Sequence, residues 1–165
     1  LIGTSEHSMI GKFIDQIIPE EQLPITMTSY SPCFRKEKGA HGLEERGIYR
    51  IHQFEKQEMI VVCKPEESMQ WFDKLGRNTV DLFRSLFEVG SCSNLGDAQA
   101  RRLKIRVNGE NGKYLAHTLN NTVVAPPRML IALLENNLNA DGSVNIPVAL
   151  RPYMGNKEKI LPKTH

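Results

Sequence analysis

The stretch between residues 33 and 59 constrains the fold of this chain most, because it contains two strand-like runs on either side of a charged loop. Arg35 and Glu37 follow the first run two residues apart, so their side chains point to the same face if the strand continues through them. The loop at residues 36–47 contains three glycines, two of them close together at 39 and 42, and charges of both signs. This pattern predicts an antiparallel hairpin whose polar loop is suited to hold a polyanion.

The remaining apolar segments alternate between helical and strand-like spacing. Predicted helices begin near Thr4, at Pro65 and at Pro126, the first continuing to Pro19, and predicted strands cover residues 1–3, 24–34, 49–54, 59–63, 103–107, 114–119 and 146–150. This order indicates an α+β fold around an antiparallel sheet rather than parallel βαβ units. Neither GxxxxGK(S/T) nor GxGxxG occurs, so a bound nucleotide is expected to contact side chains of the sheet.

The composition narrows the class of protein. Among 165 residues the formal net charge is only +2, which argues against a protein built mainly to coat nucleic acid. Cys33, Cys63 and Cys92 are widely spaced and include no CxxC pair, so reduced buried thiols are favoured over a disulfide framework. No apolar run reaches the length of a membrane span, and no signal-peptide pattern is recognised. We therefore expect a soluble, cytoplasmic protein with no membrane partner.

Three charged residues occupy positions that need an explanation. Arg128 lies in the first turn of a predicted helix, where the dipole disfavours a cation, so it either bends back to solvent or supplies positive charge to a nearby phosphate. Arg35 is either an ion-pair partner of Glu37 or Glu58, or a functional cation. Glu88 stands in an otherwise strand-like run and needs a partner there. The five histidines are scattered without metal-ligand spacing.

Several segments occur in an order that resembles the seryl-tRNA synthetases, which are class II aminoacyl-tRNA synthetases. Residues 34–37 (FRKE) and 50–58 (RIHQFEKQE) are similar to class II motif 2 in its seryl form. Further similar segments are the serine-recognition motif TSE at 4–6, a signature at 91–102 that begins SCSN and ends DAQARR, motif 3 as HTLNNT at 117–122 with APPR at 125–128, and LRPYM at 150–154. The resemblance covers nearly the whole chain and implies a reduced class II antiparallel sheet flanked by helices.

The resemblance implies a reaction in two steps. ATP and serine form seryl-adenylate and pyrophosphate, and the seryl group then passes to tRNA(Ser). By position, Arg35 would bridge the serine carboxylate and the α-phosphate, and Glu37 would hold the adenine end of ATP. Phe54 and Arg128 would sandwich the adenine, with Arg128 also reaching the γ-phosphate. Arg35 and Arg128 are thus the expected catalytic residues.

The resemblance also implies a Mg²⁺ ion and a serine pocket. Glu88 and Ser91 would hold the Mg²⁺ and belong to the ATP site. The serine pocket would be formed by polar side chains from several motifs, namely Thr4, Glu6, Arg35, Glu58, Asn120 and Thr122. Taken alone, Thr4 and Glu6 are more typical of a helix N-cap and a first-turn acid.

Three parts of the family pattern are expected to be missing: the N-terminal coiled-coil arm that grips tRNA, motif 1 that builds the dimer interface, and sheet strands before Glu88. We therefore expect a catalytic core at residues 1–155, a loose C-terminal tail at 156–165, weak tRNA charging, and a homodimer only without its usual interface. Two alternatives stay open. One is a non-catalytic fragment that binds a nucleotide or a partner protein, and the other is a ligase that loads serine onto a carrier protein.

Overall fold

The computed structural model of the protein describes residues 1–37, 47–82 and 90–163. The α-helices are α1 (Glu6–Gly11), α2 (Ser68–Leu82), α3 (Ala98–Leu103) and α4 (Pro126–Asn137). The strands are β1 (Ile17–Pro19), β2 (Ile25–Phe34), β3 (Gln53–Cys63), β4 (Cys92–Asn94), β5 (Arg106–Gly109), β6 (Gly112–Leu115), β7 (His117–Val124), β8 (Val144–Asn145) and β9 (Lys159–Ile160). Short 3₁₀ helices cover Glu20–Gln22, Pro65–Glu67 and Val148–Met154.

The largest sheet has four strands in the order β2-β3-β7-β4, and every neighbouring pair is antiparallel. Strands β2 and β3 pair over ten positions, from Ile25 opposite Val62 to Phe34 opposite Gln53. The predicted hairpin and the predicted α+β class with an antiparallel sheet are thus confirmed. The pattern of β-branched and aromatic residues in β2 suits a pleated, half-buried strand.

The pairing of β3 with β7 contains one irregularity. Gln57 lies opposite Val124, whereas the next residue of β3, Glu58, lies opposite Thr122. Val123 is therefore an extra residue on β7, which is the definition of a β-bulge. Bulges bend the strand that carries them and re-aim its side chains.

One face of this sheet packs against α2. The contact is formed by Val61 and Cys63 of β3, Leu119 of β7 and Leu75 of the helix, all at most 4% exposed. Asn121 faces the same helix, since its amide nitrogen donates to the carbonyl oxygen of Leu75 at 2.6 Å. This polar contact fixes β7 to α2 at a defined position along the helix.

The opposite face packs against α1 and a second sheet. Ile60 and Val62 of β3 contact a cluster that includes Ile10 of α1 and Ile105 and Val107 beside or in β5. The second sheet has the order β1-β5-β6, in which β1 and β5 are parallel and β5 and β6 form an antiparallel hairpin. The two faces of β3 therefore belong to two separate apolar clusters.

Several predicted boundaries are wrong. Residues 1–3 form no strand, although the Phe34 N–H donates to the carbonyl oxygen of Ile2 at 2.8 Å. The first helix ends at Gly11 instead of near Pro19. Residues 12–15 form a turn in which Asp15 adopts a left-handed φ of 56°, and the chain then enters β1. The predicted strand at residues 49–54 is reduced to the first two residues of β3.

The C-terminal part of the chain also differs from expectation. The predicted extended end at residues 146–150 is largely replaced by the 3₁₀ helix Val148–Met154. The expected loose tail is wrong for Lys159–Ile160, which pairs with β8, and the Ile146 N–H donates to the carbonyl oxygen of Glu158 at 2.8 Å. These contacts hold the chain beyond residue 155 against the segment that follows α4.

The three cysteines are free thiols, as predicted. Cys33 and Cys63 are buried, while Cys92 is half-buried. Burial raises the pKa of the Cys63 thiol to about 12, with a smaller contribution from the carboxylates of Glu67 and Glu66. Cys63 is therefore a packing residue rather than a reactive thiolate. In the part of the chain that the structure describes, no helix is long and apolar enough to cross a membrane.

We expect Leu119→Ala to lower the free energy of unfolding by about 2–5 kcal/mol, because it leaves a cavity between the sheet and α2. Urea denaturation followed by circular dichroism measures this change. Leu130→Ala is the matched control, since Leu130 is 47% exposed and its truncation should change stability by no more than about 0.5 kcal/mol. Equal losses in the two variants would contradict the assignment of the core.

Candidate nucleotide and amino-acid site

A cleft lies at one end of the four-stranded sheet, where the end of β2, the start of β3, the end of β7 and the start of α4 meet. Its volume is about 200 Å³. Its lining is rich in cationic and aromatic side chains and consists of Arg35, Glu37, Ile48, Tyr49, Arg50, Ile51, Phe54, Lys56, Gly90, Ser91, Thr122, Ala125, Pro127 and Arg128. The structure therefore brings together six predicted site residues that are as far as 93 positions apart in the sequence, namely Arg35, Glu37, Phe54, Ser91, Thr122 and Arg128.

Two arginines of the cleft lie over aromatic rings. The guanidinium carbon of Arg35 is 5.2 Å from the centre of the Phe54 ring, and that of Arg128 is 4.5 Å from the centre of the Tyr49 ring. Stacking on a ring fixes the plane of a guanidinium and leaves its N–H groups to point outward. The cleft thus presents two oriented cations beside flat apolar surfaces.

The structural explanation of Arg35 as an ion-pair partner of Glu37 or Glu58 is wrong for both carboxylates. Glu37 pairs with Arg50 at 3.1 Å, and Glu58 pairs with Lys56. Arg35 instead donates from Nε to the carbonyl oxygen of Gly3 at 3.1 Å. Because that acceptor is uncharged, Arg35 keeps its positive charge for the cleft.

Glu37 is held in an unusual backbone conformation. Its φ is 49°, in the left-handed region that side chains other than glycine and asparagine rarely adopt. Its carboxylate accepts from Arg50, which lines the cleft from the segment that precedes β3. Strained residues of this kind concentrate at functional sites, where the surrounding contacts hold them in place.

The first turn of α4 forms one wall of the cleft through Ala125, Pro127 and Arg128. The N-cap residue Ala125 provides no side-chain hydrogen bond to the first N–H groups of this helix. Pro126 and Pro127 have no backbone N–H, so it is the positive end of the helix dipole that favours an anion at this position. Arg128 is half-buried and lines the cleft, so the alternative in which it turns away to solvent is wrong.

A second polar group lies beside the cleft, on the same face of the sheet. Glu58 of β3 is 2% exposed and lies directly opposite Thr122 of β7. Residues that are directly opposite share one face of a sheet, and Thr122 lines the cleft. Glu58 Oε1 accepts from the Thr4 hydroxyl at 3.3 Å and pairs with the Lys56 ammonium, while its Oε2 is buried without a hydrogen-bond partner.

Thr4, Glu6 and Asn120 border this region without lining the cleft. Ser5 rather than Thr4 occupies the N-cap position of α1. The Thr4 hydroxyl accepts from the Glu6 N–H at 3.4 Å and donates to Glu58 Oε1 at 3.3 Å. Glu6 Oε1 accepts from the Gln99 amide at 2.6 Å. Asn120 is 8% exposed and lies on β7 opposite Ile60.

Of the two residues predicted to hold Mg²⁺, only Ser91 is in the described part of the chain. Ser91 lines the cleft and is positioned by its carbonyl oxygen, which accepts from the Thr122 N–H at 3.1 Å. Glu88 lies outside the described residues. Over residues 1–37, 47–82 and 90–163, no three histidine, cysteine, aspartate or glutamate side chains are grouped as a metal site.

Sequence reasoning missed four residues that contact predicted site residues. These contacts are the Tyr49 ring against Arg128, the ion pairs of Arg50 with Glu37 and of Lys56 with Glu58, and the hydrogen bond from Gln99 to Glu6. Lys56 carried a usable signal. It lies midway between Phe54 and Glu58 on one strand, and alternate residues of a strand share a face. The other three pairs depend on loops or on a helix distant in sequence, and no local pattern indicates them.

The sequence of this chain is similar to those of known proteins from one family. Residues 1–89 match the family described as tRNA synthetase class II core domain (G, H, P, S and T). The chain is 40% identical to a serine–tRNA ligase of Neisseria meningitidis serogroup B, over 97% of this chain and 45% of that protein. It is 39% identical to a serine–tRNA ligase of Methanospirillum hungatei, over 96% of this chain and 46% of that protein.

Solved structures give the same result. A seryl-tRNA synthetase of Pyrococcus horikoshii complexed with ATP matches 99% of this chain with a TM-score of 0.91 and 36% identity. A cytoplasmic serine–tRNA ligase of Naegleria fowleri in complex with AMP matches with a TM-score of 0.88 and 32% identity, again over 99% of this chain. The matched regions are 44% and 47% of those chains, so this chain spans less than half of their length. The relatives and solved structures that this chain resembles are thus serine–tRNA ligases, and the chain belongs to the class II tRNA synthetase core-domain family.

Proposed function

We propose that this chain activates serine with ATP, forming seryl-adenylate and pyrophosphate. The observation that carries the proposal is the cleft itself, in which Arg35, Phe54 and Arg128 come together from three separate segments next to the buried carboxylate of Glu58. The Pyrococcus horikoshii relative was solved with ATP and the Naegleria fowleri relative with AMP, which supports a nucleotide in the corresponding cleft.

The nucleotide half of the site would use the flat surfaces of the cleft. Phe54 and Arg128 would contact the two faces of the adenine, and Glu37 would accept a hydrogen bond at its edge. Tyr49 supports Arg128 from behind in the present geometry, with 4.5 Å between the guanidinium carbon and the ring centre. Arg35 would bridge the α-phosphate and the serine carboxylate, because its charge is not neutralised by Glu37 or Glu58.

The serine half would use the polar groups on the neighbouring part of the sheet, namely Thr4, Glu6, Glu58, Asn120 and Thr122. A buried carboxylate oxygen without a partner, such as Glu58 Oε2, is costly until a donor reaches it. The ammonium or hydroxyl group of serine would supply that donor. An analogue without the hydroxyl would leave buried polar groups unpaired and would be rejected strongly.

The activation step needs no general base. The serine carboxylate is already ionised, and one of its oxygens would attack the α-phosphorus while the bond to the pyrophosphate oxygen breaks. Catalysis would come from alignment of the two reactants and from cations placed along the polyphosphate, which stabilise the negative charge that shifts toward the pyrophosphate in the transition state. Arg35 and Arg128 would provide these cations from fixed positions, which lowers the reorganisation needed in the transition state.

Magnesium would assist this step by neutralising phosphate charge when bound. Of the two proposed ligands, Ser91 presents a hydroxyl in the cleft, and hydroxyl oxygens are acceptable ligands for a hard cation. Glu88, the proposed carboxylate ligand, follows the described part of α2 by six positions. The Mg²⁺ proposal therefore rests on the oxygen donor at Ser91 and on the need to offset the charge of ATP.

We further propose that the seryl group passes to tRNA(Ser), as the names of the relatives indicate for those proteins. The proposed catalytic core at residues 1–155, which precedes the proposed tail at 156–165, would act on the acceptor end of this tRNA. The alignments with the curated relatives extend over 195 positions, more than the 165 residues of this chain, so those relatives carry residues inside the matched region that this chain lacks. This supports an internal deletion and reduced charging. The Naegleria fowleri relative supports a cytoplasmic location.

Arg35→Ala should lower the rate of serine-dependent ATP–pyrophosphate exchange by about a hundredfold or more, because it removes an oriented cation from the α-phosphate. The exchange is measured with labelled pyrophosphate in the presence of Mg²⁺. Arg102→Ala is the matched control, since Arg102 is an exposed arginine of α3 outside the cleft. Exchange that is the same in both variants would contradict the role of Arg35.

Arg128→Ala should weaken ATP binding by about tenfold, since a guanidinium stacked on an aromatic surface contributes on the order of 1–2 kcal/mol. Isothermal titration with ATP measures the effect, and Arg128→Lys separates charge from planarity. A lysine variant that binds as well as the native protein would show that the flat guanidinium is not needed. Unchanged ATP binding in the alanine variant would place the nucleotide elsewhere.

The acyl acceptor distinguishes tRNA charging from the loading of a carrier protein. With labelled serine and ATP, we expect slow transfer to tRNA(Ser) and none to the phosphopantetheine thiol of a carrier protein. Both acceptors are offered to the same enzyme preparation, and acid-stable counts on each are compared. Preferential labelling of the carrier would favour the carrier-protein ligase, and no adenylate formation at all would favour a non-catalytic fragment.

A further inference from the structure

Lys56 is a buried cation at the boundary between the cleft and Glu58. Its position on β3, two residues from Phe54 and two from Glu58, places all three side chains on one face of the strand. Lys56 is only 7% exposed and lines the cleft. A lysine is almost never this buried unless its charge is paired, and here the partner is the Glu58 carboxylate.

The two oxygens of Glu58 are in different situations. Oε1 accepts from the Thr4 hydroxyl at 3.3 Å and pairs with the Lys56 ammonium. Oε2 is buried and has no hydrogen-bond partner. An ionised carboxylate offers about four acceptor positions, so Glu58 retains capacity on one defined oxygen.

Access to that oxygen leads past Lys56. Lys56 borders the cleft, whereas Glu58 does not. A lysine side chain has a flexible stem of four carbons and can shift while its ammonium stays near the carboxylate. An ammonium group that enters from the cleft therefore meets Lys56 before it meets Glu58.

Resting on the proposed function, we propose that Lys56 is a positioning residue of the amino-acid subsite. Its ammonium pairs with the Glu58 carboxylate and fixes Oε1, so that Oε2 is presented to the α-ammonium group of the incoming amino acid. The Lys56 stem moves aside on the cleft side as the substrate enters. The substrate brings its own carboxylate, which faces Arg35, so the zwitterionic amino acid adds no net charge to the site while its ammonium group shares Glu58 with Lys56.

Steady-state exchange kinetics test the proposal by separating the two substrates. In Lys56→Met we expect the KM for serine to rise by about 30-fold or more, as for other buried charge pairs that lose one partner. The KM for ATP should change by no more than about twofold, because the nucleotide contacts are made by other residues. Lys56→Arg should recover most of the affinity for serine, since it restores a cation that can pair with Glu58.

A double-mutant cycle shows whether Lys56 acts through Glu58. We expect Lys56→Met combined with Glu58→Gln to be no worse for serine than Glu58→Gln alone, because the ion pair is already lost in the single variant. The double variant also removes both buried charges, so it remains testable where Lys56→Met alone fails to fold. A melting curve for each variant identifies that case. Losses that simply add in the double variant would overturn the proposal.

Lys64→Met provides the matched control. Lys64 pairs with Glu20 at 3.0 Å, outside the cleft, and its loss should leave both KM values unchanged. Lys56→Met kinetics that match the native chain, or KM values for serine and ATP that rise together, would contradict the inference while leaving serine activation intact. Absence of serine-dependent exchange in the native chain would instead contradict the proposed function itself.

Discussion

Strand β3 is hydrogen-bonded along both edges, to β2 over ten positions and to β7 over seven, and the described structure depends on this double pairing. Its alternate side chains divide the molecule into two regions. Val61 and Cys63 face α2, while Ile60 and Val62 face α1 and the second sheet. On the face that carries Ile60 and Val62, the next two residues toward the start of β3 are polar. One face of the strand therefore forms core at its end and the candidate site toward its start. A fixed strand thus supplies a rigid base for side chains whose charges would otherwise be costly to bury.

The elements that could be predicted are those whose pattern is local. Strand β2, the start of α4 at a pair of prolines and the β5–β6 hairpin follow from β-branched runs, proline positions and glycine turns. The structure agrees with each, but the hairpin strands are Arg106–Gly109 and Gly112–Leu115 rather than residues 103–107 and 114–119, since Leu103 ends α3 and His117 begins β7. Residues 12–19 were misassigned because their apolar spacing suits a helix, whereas β1 is stabilised by its parallel pairing with β5, nearly ninety positions away. A partner at that distance leaves no periodic trace in the sequence.

The candidate site shows the same division. Family resemblance pointed to Arg35, Glu37, Phe54, Ser91, Thr122 and Arg128, and these residues line one cleft. Spacing alone could not have selected them, because Arg35 and Arg128 each had an ordinary structural explanation. Lys56 shares a strand face with Phe54 and Glu58 by its spacing, but only the fold shows that it is 7% exposed. Pairs such as Tyr49 with Arg128 depend on how a loop meets a helix, which composition does not encode.

The extra residue Val123 in β7 determines which side chains share a row across the sheet. With regular pairing continued from Gln57 and Val124, Glu58 would lie opposite an apolar valine, and Thr122 would lie opposite Met59. The bulge brings the carboxylate and the hydroxyl into one row, and it does so within three residues of the first turn of α4. This one residue therefore determines which polar side chains lie in the same row across the sheet, and also the direction in which the chain leaves β7 toward α4. An insertion or deletion of one residue here would move every following side chain of the strand to the opposite face of the sheet, whereas the same change in a surface turn would be tolerated.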